Sequence, residues 1–222
     1  MAIQDNAGPV INTMFINDED AFANGAVVAP EAILYITASD DFGINVQPNS
    51  IDGAMSLLLD DGRSTMADVY CYVSPGEDGK NISIEYPLAN LAEGQHTLTY
   101  TVYDLRGNST TRTITFTVGQ TCSSNLVADK LPAYRDGEVN FDLETSLART
   151  PEFIVSVTDA TGRLVWKTET RSFPVAWDMK DRNGNTVPAG LYRYYGTYND
   201  GTNYGGTPIN KLIVLDPVKT AQ

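Results

Sequence analysis

The sequence predicts an all-β protein made of two tandem β-sandwich domains. Apolar and polar residues alternate with period two in many short segments, as half-buried strands require, and turn signals separate these segments. No capped amphipathic helix of three turns lies between them, which favours sandwiches over a parallel sheet. The length of 222 residues suits two domains of roughly 100 residues each.

The clearest strand pair is "HTLTYTVYD" followed by "TRTITFTV", residues 96–104 and 111–118. Each alternates threonines with apolar residues, so each is expected to bury one face. The buried positions are expected to be Leu98, Tyr100, Val102, Ile114, Phe116 and Val118. Between the two segments, "DLRGN" contains residues that tolerate positive φ and bond their own backbone, which predicts a hairpin that ends the first domain.

The small, polar segment "GQTCSSN" that follows is typical of a linker, and we place the domain boundary near Thr121. The first domain is predicted to span residues 8–119 and the second 125–218. In the second domain the strand candidates are "GEVNFDLE", "FIVSVTDATGRLVW", "FPVAWDM", "GLYRYYGTYN" and "INKLIVLD". Trp166 and Trp177 are expected in its core.

An internal similarity links the two halves and indicates an immunoglobulin-like type of sandwich. "LAEGQHTLTY" and "VPAGLYRYYG" share an apolar residue, a glycine and an aromatic ring at matching positions. The matched residues are Leu91, Gly94 and His96 in the first half, and Val187, Gly190 and Tyr192 in the second. The arrangement is close to the tyrosine corner of immunoglobulin-like domains. The pattern Asp-x-x-Gly also recurs at Asp40, Asp104 and Asp159, which predicts repeated hairpin turns.

Composition excludes several classes of function. The net charge is −13, and such a chain repels phosphate backbones and anionic lipid, so neither nucleic acid nor membrane insertion is expected. No apolar run reaches the ~18 residues of a membrane helix. "MAIQDNAGPV" has no signal-peptide pattern, and Met1 can be the start of an excised segment. No cofactor is predicted.

The segment "WDMKDRNGNTVPAG" admits two interpretations, a calcium loop or a tight turn. Asp178, Asp181, Asn183 and Asn185 offer oxygen ligands, but the bidentate Glu that closes a calcium loop is missing. Asn183-Gly184 is a strong hairpin signal. The turn is favoured, and no metal site is predicted.

No catalytic residue is predicted. His96 is the only histidine and lies at a corner position, while neither Cys71 nor Cys122 has a neighbouring base that would activate a thiolate. A disulfide between the two cysteines remains open, although two idle thiols are the preferred interpretation. The acidic pairs, such as Asp40-Asp41 and Asp60-Asp61, are interpreted as solvated turns.

A tyrosine-rich run is the candidate binding surface. It is denser than one sheet face can bury, and exposed tyrosines beside strands are typical of protein or carbohydrate contacts, although about half of the run is expected to lie in the core. Its members are Tyr192, Tyr194, Tyr195, Tyr198 and Tyr204.

Several segments resemble a known family. "GPVINTMFINDEDAFANGAVVAPEAILYITASDDFGIN", "AMSLLLDDG" and "YPLANLAEGQHTLTYTVYDLRGNSTTRTITFTV" resemble the region after the peptidase domain in gingipain-like (C25 family) cysteine peptidases of the PorU type, the sortases of type IX secretion. "VSVTDATGRLVWKTET", "VAWDMKDRNGNTVPAGLYRYYGTYNDG" and "NKLIVL" resemble immunoglobulin-like FlgD modules and C-terminal sorting domains of that system. The resemblance spans about residues 8–216. The family's Gly-Ile-Gly-His-Asp run is reduced here to a trace at Ile51, Asp52 and Gly53.

The resemblance implies a non-catalytic tail, because the catalytic Cys and His of the family would lie upstream and no residue here matches them. It implies an exported protein at the cell surface or outer membrane of Bacteroidetes, with protein partners there. The alternative is a carbohydrate- or matrix-binding segment of a surface adhesin, which the tyrosine run would serve.

Overall fold

The computed structural model describes residues 5–19, 26–48, 50–51, 53–60, 64–119, 124–147, 149–200 and 204–217. In this part of the chain the secondary structure is β-strand apart from one short 3₁₀ helix, Val69–Tyr72. The strands are β1 Val10–Ile16, β2 Ala26–Val28, β3 Ala32–Ser39, β4 Ser56–Leu59, β5 Ser64–Thr65, β6 Val73–Pro75, β7 Asn81–Leu88, β8 Gly94–Tyr103, β9 Ser109–Val118, β10 Ser124–Ala128, β11 Ala133–Tyr134, β12 Val139–Thr145, β13 Phe153–Asp159, β14 Leu164–Thr170, β15 Val175–Trp177, β16 Gly190–Asn199, β17 Tyr204–Gly206 and β18 Asn210–Leu215.

The first sandwich consists of a four-stranded sheet, order β1-β3-β7-β6, and a five-stranded sheet, order β2-β9-β8-β4-β5. Strands β8 and β9 form the predicted hairpin in continuous antiparallel register from Gly94↔Val118 to Tyr103↔Ser109. The six apolar positions predicted to face inward on this hairpin are all at most 3 % exposed, so the period-two interpretation is confirmed.

The second sandwich places a three-stranded sheet, order β10-β12-β15, against a larger sheet, order β11-β18-β16-β13-β14, with β17 also paired to β16. Its buried side chains form a separate core from Leu126 to Val214, whereas those of the first run from Met14 to Val118. The chain is therefore all-β, with two tandem immunoglobulin-like sandwiches as predicted. The expected boundary at Thr121 lies outside the described residues, as does Cys122.

The two corners have the matching geometry that their sequence similarity predicts. The Tyr192 hydroxyl donates to the Pro188 carbonyl oxygen at 2.8 Å, four residues earlier. The His96 Nε2 atom lies 2.7 Å from the Ala92 carbonyl oxygen, again four residues earlier. A ring that reaches back to the backbone thus fixes the chain where it enters β8 and β16.

The predicted Asp-x-x-Gly turns form at Asp40–Gly43, Asp104–Gly107 and Asp159–Gly162, and a fourth forms at Asp181–Gly184. In each, the glycine N–H donates to the aspartate carbonyl oxygen at 2.9–3.4 Å, and the glycine has φ between +81° and +96°. Each aspartate carboxylate also accepts the N–H two residues later. The tyrosine-rich strand β16 therefore begins after a tight turn, as its sequence favoured, and the Asp181 carboxylate oxygens are bonded within that turn.

Replacing Gly184 by valine is expected to cost more than about 1 kcal/mol in the free energy of unfolding, because a β-branched residue is strained at positive φ. A Cβ at this position would meet nothing within 4 Å, so the cost is backbone strain alone. Chemical denaturation of the full chain measures it. Gly184→Asn, which tolerates this conformation, and Gly190→Val, at an equally open site of ordinary φ, should both change stability by less. Equal losses in all three would contradict the strain argument.

The expectation that calcium leaves this turn unaffected stays a prediction. Melting the full chain with EDTA and with about 5 mM calcium tests it, since a tightly held ion would raise the melting temperature by mass action.

Trp177 is fully buried, as predicted, and its indole N–H donates to the Lys180 carbonyl oxygen at 2.8 Å. Trp166 is only partly buried, although its ring lies 6.4 Å from that of Trp177. Both residues lie on the last strand of a sheet, Trp166 on β14 and Trp177 on β15, so an edge position alone does not determine burial.

Candidate functional site

The outer face of the four-stranded sheet in the first sandwich presents a row of three side chains to the second sandwich. Phe15, Tyr35 and Glu85 are directly opposite one another on β1, β3 and β7. The rings of Phe15 and Tyr35 stack at 5.2 Å between centroids, and both residues are buried. Burial raises the pKa of the Tyr35 hydroxyl, and the Arg193 guanidinium partly opposes this effect. This row is the first sandwich's side of the contact between the two sandwiches, which we call the junction.

Arg193 on β16 is the centre of the other half. The residue is 4 % exposed, although its neighbours Tyr192 and Tyr194 face the opposite side, into the core. Its guanidinium donates to the Ala160 carbonyl oxygen at 2.7 Å and to the Glu85 carboxylate, and it lies 5.9 Å from the Tyr35 ring centroid. Its Nε atom is buried and has no partner among the described residues. An arginine so enclosed links the two sandwiches through charge, hydrogen bonds and ring contact.

The turn between β13 and β14 completes the junction. A Cβ on Gly162 would lie 2.7 Å from a Tyr35 ring carbon and 2.9 Å from one of Phe15, and the residue has φ +82°. Its carbonyl oxygen accepts the Glu19 N–H at 3.3 Å. Only glycine allows the turn this close to the aromatic row.

Beside this junction lies a cleft of about 510 Å³ between the two sandwiches. The first sandwich contributes Ile16, Asp18 and residues 26–28 to its lining, and the second contributes residues of β13, β14 and β16. Register shows how the second half is built: Glu169, Ile154 and Thr197 are directly opposite one another on β14, β13 and β16. The next row in is Lys167, Ser156 and Tyr195, which leads to Arg193 and the junction. The cleft is thus the part of the sheet face that the first sandwich leaves uncovered.

The floor of the cleft is formed by polar side chains that are buried. Tyr195 and Ser156 are 5 % and 3 % exposed, and Asp18 is 1 % exposed. Burial raises the pKa of the Tyr195 hydroxyl well above its usual value, and the nearby Asp18 carboxylate adds to the rise. At the rim, Glu152, Glu169 and Lys167 are exposed, as is 38 % of Ile154. Concave sites at domain junctions with a few polar groups are common places for ligands and partner segments.

Four of the five tyrosines proposed as a binding surface are buried. Tyr192, Tyr194 and Tyr198 face the core of the second sandwich, whereas Tyr195 faces outward and is covered at the junction. Both faces of β16 are therefore buried, which accounts for the density of aromatic residues. Tyr204 is partly exposed, and Tyr195 and Tyr198 belong to the lining of the cleft.

His96 is used as a structural side chain. Besides the Ala92 carbonyl oxygen, it contacts the Asp60 carboxylate through Nδ1 at 2.8 Å, and the residue is 7 % exposed. Cys71 is exposed and unbridged, on the short 3₁₀ helix. Each ring nitrogen of the single histidine therefore has a hydrogen-bond partner at this corner of the fold.

A second polar cluster lies at another end of the first sandwich. Carboxylate oxygens of Asp5, Asp40 and Asp104 lie within 4.8 Å of one another, and Asp104 is fully buried. Burial tends to raise the pKa of the Asp104 carboxyl, but hydrogen bonds from Asn108 and Arg106 outweigh it and lower that pKa. Burial and the neighbouring carboxylates raise the pKa of Asp40. Three like charges from separate segments thus meet at the turns that begin at Asp40 and Asp104.

Asp40→Asn is expected to stabilise the protein at about pH 7. Because the folded-state pKa of Asp40 is raised, its favourable contribution is present below the unfolded pKa and is lost as pH rises through the folded pKa. Asparagine cannot ionise, yet it can still accept the Phe42 N–H. Melting temperatures from about pH 3 to pH 8 should show an advantage of the variant that grows with pH.

Asp78→Asn is the matched control, because Asp78 also accepts an N–H two residues later but is exposed. An advantage for Asp40→Asn that is the same at every pH would contradict the electrostatic explanation.

No protein-family model matches the sequence, and no curated protein matches it. Solved structures with similarity include dimeric latent PorU from Porphyromonas gingivalis, with TM-score 0.49 and 23 % identity over 97 % of this chain and 21 % of that one. PorZ, a surface component of the type IX secretion system of the same organism, matches with TM-score 0.32 and 22 % identity over 53 % of this chain and 15 % of that one.

An immunoglobulin pair from the Drosophila receptor tyrosine phosphatase DLAR matches with TM-score 0.39 and 11 % identity over 93 % of this chain and 98 % of that one. The chain spans about a fifth of the PorU chain that it matches. Similarity of this size does not assign a function. In the described part of the chain, no helix is long and apolar enough to cross a membrane.

Proposed function

We propose that this chain is a non-catalytic docking module of an exported C25-type cysteine peptidase and makes protein contacts at the outer membrane. The observation that supports this most directly is the junction. The contacts of the buried Arg193 with Glu85 and the Tyr35 ring hold the two sandwiches together, and a cleft lies beside them. A binding surface formed by two domains needs such a fixed relation, because ordering it on binding would cost affinity.

Two further observations agree with this proposal. The segments that resemble the region after the C25 peptidase domain contain strands and turns of the first sandwich, and those that resemble FlgD modules and C-terminal sorting domains contain strands and turns of the second. His96, the one histidine available as a general base, is enclosed at a structural corner. Protein contact is therefore a better account of the chain than catalysis.

Carbohydrate binding is less well supported. Sugar rings stack on exposed aromatic faces, but the tyrosine run that would provide them is mostly buried. Of its members, only Tyr204 retains intermediate exposure.

The experiment is capture of detergent-solubilised outer-membrane proteins from a bacterium with type IX secretion, using the immobilised full chain and size-exclusion co-elution. We expect saturable binding of a defined protein and no hit on a glycan array. Arg193→Ala, which loosens the junction, should weaken capture, whereas Arg163→Ala, at an exposed arginine of the neighbouring turn, should not. Failure to capture any outer-membrane protein, or saturable binding to one glycan, would overturn the proposal.

A further inference from the structure

The inference concerns the occupant of the cleft, and it rests on the proposed docking function. The cleft continues an interface that already exists: the first sandwich covers the sheet face at Arg193 and Tyr195, and the uncovered part begins one row further along at Ile154. The uncovered part of this sheet face is therefore available to bind a further segment beside the first sandwich.

The lining selects the chemistry of that segment. Ile154 is 38 % exposed on β13, and Val27 of the first sandwich, which is partly buried, also lines the cleft, so one apolar side chain can be buried there. Glu169 is directly opposite Ile154 on the edge strand, and the structure gives it no ion-pair partner among the described residues. Glu152 is also on the rim, with a loose 3.7 Å contact to Arg171.

The first sandwich, which forms one wall of the cleft, carries a net negative charge, as do Glu169 and Glu152 on the rim. Up to residue 119 the sequence contains 16 Asp and Glu against four Lys and Arg, so the sandwich that forms one wall is strongly acidic. A cationic segment is drawn to such a surface and an anionic one is repelled. Lys167 is the one basic side chain in the lining.

We propose that the cleft binds an extended segment of a partner protein in which a lysine or arginine is two residues from an apolar residue, so that both side chains point to the same face. The apolar side chain packs on Ile154, and the cation lies against Glu169. A volume of about 510 Å³ is within the range of sites that enclose a few residues of a peptide.

The test uses the full chain and two labelled heptapeptides, TVTKTVT and TVTETVT, in fluorescence anisotropy at about 50 mM salt, where charges are weakly screened. We expect saturable binding of the lysine peptide and at least fivefold weaker binding of the glutamate peptide. Glu169→Lys should reverse this preference. Equal binding of the two peptides, or no saturable binding at millimolar concentration, would overturn the inference.

Two isoleucine variants locate the site. Ile154→Arg should abolish binding of the lysine peptide, whereas Ile213→Arg should bind as the wild type does. Ile213 is a fair control because it is 45 % exposed on β18 of the same sheet, away from the cleft lining. Thermal melts confirm that both variants fold, and unchanged binding by folded Ile154→Arg would place the peptide elsewhere.

The outcomes separate this inference from the function on which it rests. If the Ile154→Arg variant captures an outer-membrane protein as well as the wild type does, the docking function is supported and the cleft is not the binding site. If the lysine peptide binds in the cleft but no outer-membrane protein is captured, the site stands and its proposed setting fails.

Discussion

Trp177→Ala is expected to lower the free energy of unfolding by about 3–5 kcal/mol, the range for deleting a large aromatic side chain from a core. The ring has no exposed surface and packs near Trp166 and Tyr192, with centroids 6.4 Å and 5.8 Å away. Its loss also leaves the Lys180 carbonyl oxygen without the indole donor. Urea denaturation followed by circular dichroism measures the change.

Trp166→Ala is the matched control for this experiment. The ring belongs to the same cluster but is only partly buried, so its removal should cost clearly less. A loss below about 1 kcal/mol for Trp177→Ala would mean that the core repacks around the vacancy.

Arg193→Ala is expected to cost about 1.5–3 kcal/mol, the range for hydrogen bonds to charged groups, and to separate the sandwiches in solution. The truncation removes the donors to Ala160 and Glu85 and the cation above the Tyr35 ring. Because the Glu85 side chain is 46 % exposed, water can solvate it after the change, which limits the loss. Calorimetry should show two transitions moving apart, and small-angle scattering should show a larger radius of gyration.

Arg163→Ala, at an arginine 68 % exposed and paired with Asp159 in the same turn, should leave both measurements unchanged. If Arg193→Ala and Arg163→Ala behave alike, Arg193 does not hold the junction.

The strand pattern, the hairpins and the corner of each sandwich could be predicted from the sequence because they are local. Period-two alternation fixes which face of β8 and β9 is buried, and aspartate and glycine at fixed spacing fix the turns. The corner pair His96 and Tyr192 was also within reach, since both rings reach back only four residues.

The junction could not be predicted in the same way, because it depends on how two separate domains meet. Phe15, Tyr35, Glu85 and Gly162 are ordinary strand and turn residues when considered one by one. The one available signal was Arg193, a charged residue at the outward position of a strand that is otherwise aromatic. About half of the tyrosine run was expected to be exposed because only one buried face was considered for β16, which in the structure has two.

The close approach at Gly162 and the enclosed row of Phe15 and Tyr35 determine how the chain can be divided for experiments. Expressed alone, the first half would present two adjacent aromatic rings to water, and the second half would present Tyr195 beside an uncompensated guanidinium. Exposed apolar patches of this kind promote association. Crystallisation, labelling and binding experiments on separate domains would therefore involve apolar surfaces that are buried in the intact chain. Such experiments should use the two-domain chain.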